Sequence, residues 1–181
     1  MEKREMDRKW RLFRVIIPAF SEINIFTRIA RKTTALGPIM VATVADKILG
    51  WRVEVIDENN YRKGPRDKNG LPDHRTLQEE NPAAVVGLFC GLSSTMERAW
   101  QIAEFYRQQG IVTIVGGWHT HYMPVESLKK SIDIVVHGDG EIVIRRILKA
   151  IERKKHFQKF PEFLFCKANK SKPLCLNQRL I

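Results

Sequence analysis

"AAVVGLFCGLSSTMERAWQIAEFYRQQGIVTIVGG" (residues 83–117) decides the architecture. Residues 83–91 are apolar throughout, the pattern of a strand buried on both faces rather than one. Ser and Thr at 93–95 stand where a helix cap belongs, an amphipathic helix follows, and Gly110 offers its stop. Residues 111–117 repeat the buried-strand pattern and finish in two consecutive glycines. A buried strand, a covering helix and a second buried strand make a βαβ unit, which implies parallel pairing and helices on the faces of the sheet.

The same rhythm continues in both directions. "RLFRVIIPAF" (11–20) has the β-branched apolar centre of a buried strand, and "SEINIFTRIARKTTA" (21–35) is polar and unperiodic. "LGPIMVATVADKILGW" (36–51) places Ile39, Met40, Val44, Ile48 and Leu49 at helical spacing, with Pro38 in the first turn and Gly50 at the end. "WRVEVID" (51–57) alternates like a strand, and residues 58–82 form a long polar connection with a short helix expected at 75–80. Beyond the double glycine come a short helix in "PVESLKKS" (124–131) and a strand in "IDIVVHGDG" (132–140). A final helix in "EIVIRRILKAIERKK" (141–155) has its expected apolar face at Ile142, Ile144, Ile147, Leu148 and Ile151.

Five strands in this alternation predict an α/β fold, a flavodoxin-like (Rossmann-like) doubly wound parallel sheet in the order 2-1-3-4-5. The ligand of such a sheet sits beyond the carboxyl ends of the strands, where the order reverses between the first and third. The expected organisation is a basic N-terminal tail at 1–10, one domain at 11–155, and a C-terminal tail or truncated linker at 156–181, where the alternation is lost.

The net charge of +11 invites a nucleic-acid reading, so its location matters. Residues 1–14 hold six Lys/Arg against three acids, and 145–181 hold eleven against two, which leaves the body near neutral. A nucleic-acid domain carries its basic face on the folded body; solvated tails fit this distribution better. No apolar run approaches a membrane span, and the charged N-terminus lacks the apolar segment of a secretory signal. Three cysteines without metal or disulfide spacing fit a reducing cytoplasm.

The loops expected at the ligand edge are "AFSEINIFTR" (19–28), "GLSSTM" (91–96), "GGWHTHYMP" (116–124) and "HGDGE" (137–141), rich in glycine and hydroxyls and poor in charge. They suit a large, mostly neutral ligand laid over the edge with its polar part near helix termini. Other ligands of this fold fail by absence. A phosphoacceptor domain needs Asp where this sequence has Cys90-Gly91, a flavodoxin needs a hydroxyl-rich phosphate loop after the first strand, and dinucleotide or methyl-donor folds need a glycine run there. His119 and His121 would share one face of an extended segment, as two zinc ligands do, but no third ligand lies in register.

Five motifs occur in order over roughly residues 12–153. They are Leu36-Gly37, then Gly50-Trp51-Arg52-Val53 leading to Asp57, then Gly91-Leu92-Ser93. Val115-Gly116-Gly117-Trp118-His119 follows, with Pro124 two residues before Glu126, and then Asp133-Ile134-Val135-Val136-His137-Gly138-Asp139-Gly140-Glu141. This set resembles the N-terminal cobalamin-binding domain of the B12-dependent radical S-adenosylmethionine enzymes. The resemblance implies cobalamin held base-off at the carboxyl edge of the sheet, its dimethylbenzimidazole tail in a slot between sheet and helix. Side chains at Gly116 and Gly117 would obstruct that slot, and Ser93 and Ser94 would hydrogen-bond the tail. With the loops, it nominates as cofactor-binding Phe20, Ser21, Gly37, Gly91, Leu92, Ser93, Ser94, Thr95, Gly116, Gly117, Trp118, His119, Pro124, Gly138, Gly140 and Glu141. It nominates no catalytic residue and no protein ligand to cobalt.

The sequence also departs from that family. Asp139 stands where the family has Glu, and Cys90, Cys166 and Cys175 cannot form the C-x-x-x-C-x-x-C of a radical domain. An iron-sulfur cluster and S-adenosylmethionine are therefore expected only if such a domain is supplied elsewhere. No Asp has a His two residues later, so the D-x-H-x-x-G that brings histidine to cobalt in the methionine-synthase-like branch is absent. The lower face of cobalt is then open to water or covered by a side chain from residues 20–37. A structural or tail-contacting role is expected for His119, a surface-loop position for His121 and a core position for Cys90. Glu141 is expected to favour its helix N-terminus, while Trp118 and Tyr122 either cover apolar ligand surface or pack within the loop. Three functions stay open: a cytoplasmic cobalamin-binding module, truncated or stand-alone; a fragment or subunit of a B12-dependent radical S-adenosylmethionine methyltransferase or cyclase; and a basic-tailed nucleic-acid or protein interaction module.

Overall fold

Residues 10–21, 25–128, 132–153, 164–167 and 174–177 are described by a computed structural model. Strands β1 (Arg11–Ile17), β2 (Trp51–Asp57), β3 (Ala83–Phe89), β4 (Val112–Gly116) and β5 (Ile134–His137) pair in parallel in the predicted order 2-1-3-4-5. The sheet then continues past the predicted edge. β6 (Leu164–Lys167) runs parallel to β5, and β7 (Leu174–Asn177) runs antiparallel to β6. Both lie in the stretch expected to be a tail or truncated linker. No helical pattern stands between these two runs in the sequence, so the strand-and-helix rhythm that marks the other five is missing there. The basic segment at 1–9 and the rest of 156–181 lie outside the described residues.

The helices are α1 (Ile25–Ala30), α2 (Leu36–Asp46), α3 (His74–Glu80), α4 (Met96–Gln108), α5 (Trp118–Tyr122), α6 (Pro124–Leu128) and α7 (Gly140–Arg153). Side chains alternate along each strand and build two cores. Leu12, Ile16, Val86 and Leu88 pack under α3 and α4, while Phe13, Val15, Val85 and Ile114 pack under α2 and α7.

Several local expectations are corrected. The buried face of α2 is Pro38, Ala42 and Ala45, whereas Met40 and Leu49 are exposed. Small residues win there because α2 lies close to α7: a Cβ on Gly140 would come within 2.9 Å of Val41 Cγ2. On α7 four of the five expected residues, Ile144, Ile147, Leu148 and Ile151, are buried, while Val143 takes the place of Ile142, which is turned outward. At α4 no side chain caps the helix; a 3-10 turn at Ser93–Thr95 precedes it, and the Thr95 hydroxyl donates to the Leu92 carbonyl (2.8 Å). The stretch at 21–35 contains α1, which buries no side chain.

The α3/α4 face also holds charge. Arg14, fully buried in the middle of β1, donates to Glu54 (2.7 Å), Gln78 (3.1 Å), the Tyr106 hydroxyl (3.0 Å) and the carbonyls of Leu77 (3.0 Å) and Asn81 (2.7 Å). Glu58, just past β2, accepts from Arg98 (2.6 and 3.0 Å) and from the Ala19 N–H (2.8 Å), and lies 3.0 Å from His74 Nε2. Asn59 accepts from the Phe20 N–H (3.1 Å) and donates to the Pro18 carbonyl (3.2 Å), so residues 58 and 59 pin the loop that leaves β1.

Burial alone would raise the Glu58 carboxyl, but hydrogen bonds from His74 and Arg98, the Arg98 charge and the Ala19 N–H outweigh it and hold it down at about 2, against an ordinary 4.5. A folded value below the unfolded one means this stability is complete above about pH 4.5 and lost as pH falls toward 2. The difference amounts to about 3 kcal/mol. Denaturant titrations at stepped pH are expected to show that loss in the parent and a flatter profile in Glu58→Gln. An equal acid slope in the two proteins would contradict the assignment.

Candidate functional site

The chain leaves β1 toward β2 and returns across the sheet to β3, so the order reverses between β1 and β3. A cavity of about 520 Å³ opens at the carboxyl edge there, between the sheet and helices α2 and α7. Its hollowness begins with missing side chains. On β3 the residue facing α2 and α7 between Val85 and Phe89 is Gly87, and on β4 the residue after Ile114 on that face is Gly116. A Cβ on Gly116 would touch only Val136 Cβ, at 3.6 Å, an ordinary contact with open space beyond it. A Cβ on Gly87 would press on the Phe13 ring at 2.8 Å. Phe13, Val15, Val41, Ile114, Val136 and Ile144 supply the apolar wall.

The mouth is different in character. Trp118 and His121 of α5 stand on one side, and Gly138, Asp139, Gly140 and Glu141 at the start of α7 on the other. Trp118 stacks on Tyr122 (6.0 Å between centroids, 14°), and His121 stacks on His137 (4.1 Å, 11°). His121 was expected to be a surface-loop residue; it lines the cavity instead. Residues 118–122 are helical rather than extended, which puts His119 and His121 on opposite sides of the turn. His119 is buried, its Nδ1 hydrogen-bonded to the Ser93 hydroxyl at 2.9 Å and its Nε2 3.6 Å from Glu126 Oε2. Among the described residues, no group of three or more His, Cys, Asp or Glu could hold a metal ion.

The structure divides the nominated residues into three sets. Gly37, Gly116, Gly117, Trp118, Gly138, Gly140 and Glu141 line the main cavity. Phe20, Gly91, Leu92 and Thr95 line a second cavity of about 170 Å³. The Phe89 ring belongs to both and forms the partition: a Cβ on Gly91 would meet it at 2.7 Å, and one on Gly37 at 3.6 Å. Ser93, Ser94, Ser21, His119 and Pro124 line neither cavity. Ser93 is committed to His119, Ser94 and Ser21 are exposed, and Pro124 opens α6. Cys90 is fully buried, as expected, and that burial pushes its thiol well above the ordinary range.

Sequence reasoning missed the apolar wall and Gly87. The signal was present, since a lone glycine inside an apolar strand marks a bulge or a close approach by another group.

A family model for the B12 binding domain matches residues 25–148. The chain belongs to the B12-binding domain family. As a member it is a cobalamin-binding module on a flavodoxin-like sheet. The match runs from α1 into α7 and leaves out β1, and it identifies the domain rather than a radical-enzyme branch. A search of curated proteins finds no match. The residues present fit the group: the cavity lies within the ~300–1,000 Å³ usual for small-molecule sites, and a side chain at Gly116 would project into it. No helix among the described residues is long and apolar enough to cross a membrane.

Proposed function

We propose that this B12-binding domain holds cobalamin base-off, with the nucleotide tail in the cavity between the sheet and helices α2 and α7. The observation that carries the reading is the hollow beneath Gly116, open at the one edge where a corrin ring could lie across the strand ends. The absence of any Asp with a His two residues later supports a lower face without histidine from the loop after β1. In this arrangement Gly116 leaves room for the tail, Trp118 lies beside it at the mouth, and Phe89 closes the cavity toward Gly91.

Electron paramagnetic resonance of bound cob(II)alamin tests this. Nitrogen coordinated to low-spin cobalt(II) splits each line into three, whereas water oxygen does not. The expected spectrum has no nitrogen splitting. Splitting that disappears in His121→Ala would instead assign the lower ligand to the one histidine of the described residues that lines the cavity. Splitting that persists in His121→Ala and in His137→Ala would point to the tail still coordinated.

The proposal extends to a partner. The five motifs, together with exposed apolar side chains at Leu36, Trp118 and Tyr122, support a radical S-adenosylmethionine domain covering the corrin, in the same cytoplasmic polypeptide or in another. A downstream reading frame encoding C-x-x-x-C-x-x-C would support this, and a neighbouring frame without it would count against it.

A further inference from the structure

We infer that the cavity selects corrinoids by the polarity of their lower base, taking dimethylbenzimidazole in preference to adenine, with Ile114 and Val136 as specificity-determining residues. The inference rests on the reading that the tail enters the cavity. It starts from where polar atoms are. The polar side chains that line the cavity, His121, Asp139 and Glu141, stand at its mouth. The wall beneath is Phe13, Val15, Ile114 and Val136 from the strands, with Val41 and Ile144 from the helices. The strand backbone adds little, because β3 is paired on both sides, Val15 against Gly87 and Gly87 against Ile114. Its N–H and C=O groups are spent on neighbouring strands.

A base entering with its ribose toward the mouth presents its far edge to this wall. Dimethylbenzimidazole carries two methyl groups on that edge and its free ring nitrogen on the five-membered ring, near the ribose. Adenine linked through its five-membered ring turns two ring nitrogens and an exocyclic amine toward the wall, where no partner stands. Burying such groups unpaired is disfavoured enough to weaken binding about 10- to 100-fold. The discrimination is therefore of the moderate kind, in which an apolar wall offers no partner to polar atoms that have lost water.

The test compares equilibrium binding of three probes to the full chain by tryptophan quenching: cobalamin, its adenine-bearing analogue pseudocobalamin, and cobinamide, which has no nucleotide tail. Cobalamin is expected to bind at least tenfold more tightly than either of the others. In Val136→Thr, a change of similar volume, the gap between cobalamin and pseudocobalamin is expected to narrow by about threefold or more, the worth of one modest hydrogen bond. Equal affinity for cobalamin and pseudocobalamin, with cobinamide weaker, would overturn the selectivity and leave the tail in the cavity. Equal affinity for all three would place the tail outside the cavity and overturn both readings. Folded protein that binds none of them would overturn the proposed function itself.

Discussion

Gly116→Leu is expected to lower cobalamin affinity by at least about 100-fold, roughly 2.8 kcal/mol, while the protein folds as the parent does. The backbone at Gly116 is not in the left-handed region, and a Cβ there meets only Val136, at ordinary distance. The rest of a leucine side chain would extend into the cavity and occupy the space assigned to the tail. Matching far-ultraviolet circular dichroism with lost binding is the expected pair of results; undiminished binding would show that the cavity does not take the tail. Gly117→Leu, the neighbouring change, is not equivalent. Gly117 has φ +126°, and a Cβ there would stand 2.5 Å from the Cys90 carbonyl oxygen, which already accepts the His119 N–H at 3.1 Å. That variant is expected to lose stability before it reports on any ligand.

Arg14→Leu is expected to cost about 2 to 3 kcal/mol of folding stability, the worth of buried acceptors left short of a donor. The guanidinium sits at zero exposure and satisfies Gln78, the Tyr106 hydroxyl and two backbone carbonyls, besides pairing with Glu54. Leucine fills part of the volume and leaves the carbonyls of Leu77 and Asn81 without this donor. Glu54 is partly exposed and can regain water, so the buried acceptors dominate the cost. Urea titration measures it, and a loss below about 1 kcal/mol, the worth of one ordinary hydrogen bond, would contradict this account of the network.

The sheet order was legible because each of β1, β3, β4 and β5 reads as a mostly apolar run and the intervening helices are amphipathic. What packs against each strand was less legible. Arg14 is the one charge inside the apolar run of "RLFRVII", and nothing local distinguishes a buried guanidinium from an exposed one; its acceptors come from β2, α3 and α4, far away in sequence. The glycine motifs lead to one edge of the sheet, since Gly37, Gly116, Gly138 and Gly140 all line the same cavity. They could not say which glycines make room for a ligand and which for the chain itself. Gly117 accommodates the Cys90 carbonyl and Gly87, unremarked in its apolar strand, the Phe13 ring, while Gly116 opens onto the cavity. The hydroxyls at 93–95 read as partners of a ligand or as a helix cap that accepts from first-turn N–H groups. Instead Ser93 holds His119 and Thr95 closes its own turn, because nearby backbone and side-chain partners compete with a ligand for short hydroxyls.

The most direct test of cobalamin binding is gel filtration of the purified full chain after incubation with excess hydroxocobalamin. The account predicts corrin absorbance that co-elutes with the protein at one corrinoid per chain and survives desalting. A correctly folded protein peak carrying no corrin absorbance would contradict it.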